Sequence, residues 1–175
     1  MHYNHTRAFI GDVSATLEKL NDILNTRTTK RRHIENYWLS ECAEKKRDWE
    51  SYKAERYLNP VLFDPIWSTD VLTQPAVIKN VCDWAKSIDA VVFFDAGDVQ
   101  ANGFQIVEDD HSGRTFTDAG ASYMGFAVSA LLSTGLAEDS FYGVAITGDG
   151  SFLMNPQILI DGVEHGVQGC IVLLH

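Results

Sequence analysis

The sequence holds no apolar run approaching the roughly 20 residues a membrane-spanning helix needs. Its longest candidates, Ala90–Phe94 and Cys170–Leu174, are only strand-sized. Cysteine is sparse: Cys42, Cys82 and Cys170 are odd in number, far apart, and in no CxxC or His/Cys spacing. That argues against zinc or redox work and leaves burial as small hydrophobes. Met1–His5 lacks the apolar stretch of a signal peptide, so residence in the cytoplasm is expected. Positive charge is scarce over most of the chain. Residues 58–175 carry 3 Lys/Arg (Lys79, Lys86, Arg114) against 15 Asp/Glu, a net of −12, whereas residues 1–57 carry 11 against 9, a net of +2. So acidic a body argues against nucleic acid, whose binding depends on neutralising phosphates. If such a protein holds an anionic cofactor, a bound cation and backbone N–H groups must supply the attraction.

What is present reads as an ordinary globular chain. Its 175 residues are 45% hydrophobic and 11% aromatic, enough for one domain with a core and an appendage. Phe9-Ile10-Gly11 suggests a strand, and Asp12 suggests an N-cap for a helix carrying Val13, Leu17, Leu20 and Leu24. Arg27, Lys30, Arg31 and Arg32 form a short basic cluster, better read as a solvated linker than as a nucleic-acid patch. Residues 32–57, charged and aromatic without Gly or Pro, predict a long surface helix ended by Asn59-Pro60. Residues 58–72 read as an irregular connector.

From residue 73 helix and strand alternate. Thr73 caps a helix with Pro75 in its first turn. Ala90–Phe94 is continuous in apolar residues, as a strand buried on both faces should be. A helix over 123–136, a strand at Val144–Thr147, a helix around Gln157–His165 and a strand at Ile171–Leu174 follow. This order predicts an α/β fold, a parallel sheet with flanking helices preceded by a helical linker. Asp95–Gly120 has little periodicity and reads as a long loop at the carboxyl end of a strand, where open α/β sheets place ligands. The expected division is 1–25 as the end of a preceding domain, 26–72 as linker, and 73–175 as the sheet domain.

Chemistry concentrates at Gly148-Asp149-Gly150-Ser151, between a buried strand and a helix. Glycines flanking Asp149 allow a tight turn and the close approach of a large anion, toward which a helix start presents unpaired N–H groups. A carboxylate there repels phosphate unless Mg²⁺ bridges the two, and Mg²⁺ takes oxygen ligands shared between protein and phosphate. Asp149 is therefore the candidate metal ligand.

The segment from Val144 through His175 resembles the pyrophosphate domain of thiamin diphosphate-dependent enzymes, in the branch of acetohydroxyacid synthase, pyruvate oxidase and the 2-keto acid decarboxylases. The family signature is GDG, about two dozen residues, then Asn-Asn or Asp-Asn; Gly150 and His175 are 25 apart. Gly120-Ala-Ser-Tyr-Met124-Gly125-Phe126 resembles the family's Gly-x-Met/Leu-Gly-Phe block, and Phe94-Asp95-Ala96-Gly97 its strand ending in Asp-x-Gly. Ile10–Leu20 looks like the end of the family's central domain.

The resemblance implies thiamin diphosphate and Mg²⁺ as cofactors. It implies that Gly148, Asp149, Gly150 and Ser151 face the diphosphate and its metal, that Met124 lies under the thiazolium ring, and that the Ser122 carbonyl accepts from the aminopyrimidine. Without the flanking block, Met124 would read as a core methionine. The implied activity is making or cleaving a C–C bond beside a carbonyl, acetolactate-synthase-like, on a 2-keto acid or dione. The implied partners are a second copy of the chain or a complementary pyrimidine-domain chain.

Three departures stand out. His175 matches the first position of the Asn-Asn pair, and the Asn expected next, the family's second magnesium side chain, is not in the sequence. The glutamate that protonates the pyrimidine belongs to another domain, so no catalytic residue is assigned in this chain. Asp98-Val99 stands where several relatives carry Gln-His. A non-catalytic truncated or split-gene fragment that only associates with partners is the alternative expectation. The tract Glu108-Asp109-Asp110-His111 reads as solvated rather than as a metal site, and His165 gains no role from the sequence.

Overall fold

The computed structural model describes residues 7–27 and 37–175, which fall into two compact units, residues 1–48 and 49–175. In the first, Asp12 caps helix α1 (Val13–Arg27): its Oδ1 accepts from the Ala15 N–H at 2.9 Å. Phe9 and Ile10 are exposed and lie outside any strand, contrary to the sequence expectation. A lone apolar dipeptide does not hold an extended conformation without a strand to pair with. Helix α2 (Tyr37–Leu58) ends just before Asn59-Pro60, as expected; residues 32–36 of the expected helix, and Lys30, Arg31 and Arg32, lie outside the described residues. No helix among the described residues is long and apolar enough to cross a membrane.

The second unit is built on a four-stranded, all-parallel sheet. Its strands are β3 (Val91–Phe94), β4 (Thr115–Thr117), β5 (Gly143–Gly148) and β6 (Gly169–Leu174), in the order β4-β3-β5-β6. The parallel sheet with flanking helices is the expected fold. Side chains alternate across the two central strands. Val92, Phe94, Val144 and Ile146 pack on one side with Ile78 and Ala85 of α3 (Gln74–Ser87) and with Val99 and Ile106 of α4 (Asp98–Ile106). Val91, Phe93 and Ala145 pack on the other with Ala127 and Val128 of α5 (Phe126–Ala130), Leu131, and Ile158 of α8 (Ile158–Glu164). Both faces are covered, which is why these strands read as unbroken apolar runs. Each fully buried large side chain contributes about 1.5–3 kcal/mol.

Three local readings change. Residues 58–72 contain an antiparallel hairpin, β1 (Val61–Asp64) with β2 (Thr69–Leu72), rather than an irregular connector. Its turn is held by Asp64 Oδ1, which accepts from Ile66 N at 2.7 Å and Trp67 N at 3.1 Å. The stretch read as a long loop contains α4 and β4. Helix α4 escapes a propensity reading because Asn102-Gly103 lies within it. Yet a Cβ on Gly103 would sit 2.6 Å from two atoms of the Phe94 ring, so only glycine lets α4 lie this close to β3. The single helix expected over 123–136 is instead α5 followed by α6 (Leu132–Leu136), and it begins only after Gly125, which takes a left-handed φ of 90°.

A candidate cofactor site at the carboxyl edge of the sheet

The carboxyl ends of β3 and β5 lie side by side, with Phe94 paired to Ile146. Asp95 and Thr147 therefore follow as neighbours, and both are fully buried. Asp95 Oδ1 accepts from its neighbour Ala96 N and from Gly125 N, each at 2.9 Å. Its Oδ2 accepts from the Thr147 hydroxyl at 2.8 Å. One carboxylate thus joins the end of β3, the end of β5 and the turn after Met124. The sequence marks Asp95 only as part of Asp-x-Gly; its partners, 30 and 52 residues away, become visible only once the strands pair.

The turn carrying Ser122 and Met124 is built by two other side chains that the sequence did not single out. Asp118 accepts from Gly120 N and Ala121 N at Oδ1 and from Tyr123 N at Oδ2, at 3.2–3.4 Å. The Tyr123 N–H, followed by those of Ala121 and Gly120, holds the Asp118 carboxyl below the usual carboxylate range. Gln100 of α4 donates to the Thr117 hydroxyl at 2.6 Å and the Asp118 carbonyl at 3.0 Å, and its Oε1 accepts from the Ser122 hydroxyl at 3.0 Å. So supported, Ser122 holds a left-handed φ of 55°, a strained conformation for a non-glycine residue. Met124 is 53% exposed and is not a core methionine.

The GDG segment spans the end of β5 and the short helix α7 (Asp149–Phe152). Gly148 is the N-cap residue, Asp149 opens the helix with its carboxylate exposed, and Ser151 is buried at 5% exposure. A Cβ on Gly150 would meet nothing within 4 Å, so the approach to this turn is open. The Gly150 N–H, then the His175 imidazole, hold the Asp149 carboxyl below its ordinary value. His175 Nδ1 lies 3.2 Å from Asp149 Oδ2, and the His175 ring meets the Trp67 ring edge-on at 5.6 Å. A Cβ on Gly125 would sit 3.1 Å from Met154 Cβ and 3.4 Å from the Ser151 carbonyl oxygen, so the turn after Met124 packs directly on the GDG helix. Ser122, Met124 and Gly148–Ser151 are in this way gathered at one edge.

Val99 and the acidic tract fall elsewhere. Val99, one of the pair that replaces Gln-His, is buried in the core beside Phe94. The tract at 108–110 is exposed, as expected, and its carboxylates have partners: Glu108 pairs with Lys53 at 2.8 Å, Asp110 with Lys86 at 2.6 Å, and Asp109 accepts from Thr115 at 2.9 Å. Among the described residues no group of three or more His, Cys, Asp or Glu is placed to hold a metal by side chains alone.

Residues 95–175 match the family model for the thiamine pyrophosphate enzyme, C-terminal TPP binding domain. The chain is 31% identical over 152 residues to the acetolactate synthase isozyme 2 large subunit of Escherichia coli (strain K12), covering 87% of this chain and 24% of that protein. It is 28% identical over 149 residues to the chloroplastic acetolactate synthase 2 of Zea mays, covering 85% of this chain and 21% of the relative. The chain thus spans about a quarter of the length of the curated relatives it matches. Residues 95–175, whose parallel sheet and GDG edge fit the match, thus belong to the C-terminal TPP binding domains of thiamine pyrophosphate enzymes.

Proposed function

We propose that this chain is the diphosphate- and Mg²⁺-binding part of an acetolactate-synthase-like enzyme that makes or cleaves a C–C bond beside the carbonyl of a 2-keto acid or dione. The observation that carries the reading is the exposed Asp149 carboxylate in an open glycine turn, with the Met124 turn packed against the same helix. The residues fit such a ligand. All three Lys/Arg of residues 58–175 line a cleft at the opposite, amino edge of the sheet. A diphosphate at the carboxyl edge therefore takes its compensating charge from a metal, and Asp149 is the carboxylate suited to hold it.

In this reading Gly148, Gly150 and Ser151 let the diphosphate approach and offer backbone N–H groups. Met124 supports the thiazolium ring, and the Ser122 carbonyl receives the aminopyrimidine. The chemistry the cofactor supplies when bound is carbanion stabilisation next to a carbonyl. This chain binds and orients; the acid facing the pyrimidine comes from a second copy or from a complementary pyrimidine-domain chain, and no catalytic residue is assigned here. The domain division proposed with it takes residues 73–175 as the pyrophosphate domain, 26–72 as a connector and 1–25 as the end of a central domain. Cytoplasmic residence belongs to the same proposal.

Calorimetric titration of the 175-residue chain with thiamin diphosphate and Mg²⁺, beside Asp149→Ala, tests this. Saturable binding that weakens at least tenfold in the variant is expected. Equal binding by both proteins sinks the metal role, and no binding by either removes cofactor binding from this chain alone.

A further inference from the structure

We infer that Asp95 is a positioning residue. Its buried carboxylate fixes the distance between the Met124 turn and the GDG segment, and so sets the shape of the cofactor cradle. The inference rests on the proposed cofactor reading for its functional meaning, and on hydrogen bonds for its geometry. Two of the three side-chain bonds of Asp95 end one residue from a cradle group. Gly125, which donates to Oδ1, directly follows Met124; Thr147, which donates to Oδ2, directly precedes Gly148-Asp149.

The side-chain type is informative. The site needs two acceptors on one rigid group, because Oδ1 already serves two N–H groups while Oδ2 takes the hydroxyl. A buried donor left without an acceptor is expensive, so removing the carboxylate releases Gly125 rather than leaving it in place. A Cβ on Gly125 would meet Met154 Cβ at 3.1 Å and the Ser151 carbonyl at 3.4 Å, so the turn lies against the GDG segment, and a Gly125 released by Asp95 takes Met124 with it.

The carboxylate's charge is dispensable in this scheme; its acceptors are not. Asparagine keeps Oδ1 for both amides. Its Nδ2 can donate to the Thr147 hydroxyl, whose proton then turns to the Gly148 carbonyl at 3.2 Å. The conservative variant should therefore rescue what alanine loses.

The test uses the full 175-residue chain with two independent readouts. One is amide hydrogen exchange at Gly125, referenced to amides of α3; the other is titration with thiamin diphosphate and Mg²⁺. Asp95→Ala is expected to speed Gly125 exchange at least thirtyfold relative to α3 and to weaken cofactor binding at least tenfold. Asp95→Asn should stay within threefold of the wild type on both. Should Asp95→Ala fail to fold, Thr147→Val against Thr147→Ser carries the question: valine weakens cofactor binding severalfold and serine restores it. An unchanged Gly125 in Asp95→Ala, an Asn variant as impaired as Ala, or a valine variant equal to wild type overturns the positioning role. A wild type that does not bind cofactor, while Gly125 still responds to Asp95→Ala, overturns the cofactor reading and leaves the anchoring of the turn established.

Discussion

The two edges of the sheet handle negative charge in opposite ways. At the amino edge carboxylates meet cations: Lys79 pairs with Asp83, Lys86 with Asp110 and Arg114 with Asp89, around a cleft of about 270 Å³. At the carboxyl edge Asp95 and Asp118 meet backbone N–H groups and a hydroxyl, and Asp149 meets the Gly150 N–H and an imidazole. The amino edge is electrically closed. The carboxyl edge keeps its charge uncompensated by lysine or arginine of residues 58–175, which leaves room for a metal and an anion to arrive together. Side-chain cations neutralise a carboxylate; backbone donors shape it without cancelling its charge.

The largest effect expected from this contrast is in thiol chemistry. Cys82 lines the amino-edge cleft, where burial, then Asp83 and Asp109, push its thiol up to about 12. At pH 8 about one such thiol in ten thousand is ionised, so alkylation by iodoacetamide should be at least a hundredfold slower than at exposed Cys42. Comparable rates, read by mass spectrometry, would break the picture of a closed amino edge.

Next comes the core that joins the edges. Gly103→Ala would drive a methyl into the Phe94 ring and should lower unfolding free energy by about 2 kcal/mol in urea. Because β3 carries Asp95 at one end and Asp89-Ala90 at the other, both edges should loosen together in hydrogen exchange. Loosening of one edge alone would show that they are built independently.

The smallest effect separates the two kinds of partner. The Asp110 carboxyl is lowered chiefly by Lys86, whereas the Asp118 carboxyl is lowered chiefly by the Tyr123 N–H. Both depressed groups contribute stability above their unfolded pKa, and that contribution is lost as pH falls through the folded value. Salt screens the exposed ion pair but not a hydrogen bond to a backbone amide. Raising NaCl from about 0.05 to about 1 M should thus move the Asp110 titration upward in NMR and leave Asp118 in place. Equal movement would deny the distinction.

Much of the sheet was legible in the sequence because burial on both faces leaves continuous runs such as Val91–Phe94 and Val144–Ile146. The GDG turn was legible because it combines a strand end, two glycines and a carboxylate in four residues. The hairpin is hidden from a sequence reading: Pro60 and Pro65 bracket apolar residues with no clear alternation, and Ser68, not glycine, takes the positive φ of its turn. Helix α4 is hidden because Gly103 stands where an apolar side chain would complete the stripe of Val99 and Ile106. The roles of Asp95, Gln100 and Asp118 depend on partners brought near by strand pairing and turn geometry, which local periodicity does not encode.

The span of the Asp95 bonds also sets when the site can exist. Its partners lie 30 and 52 residues further along the chain, so the cradle closes only after β3 and β5 have paired in parallel. Long loop closures are entropically late events, and contacts of this separation slow folding. A chain emerging from synthesis therefore has no cofactor cradle until residues beyond Gly150 are available. Cofactor then acts as a ligand of the finished fold, shifting its population by mass action rather than templating its formation.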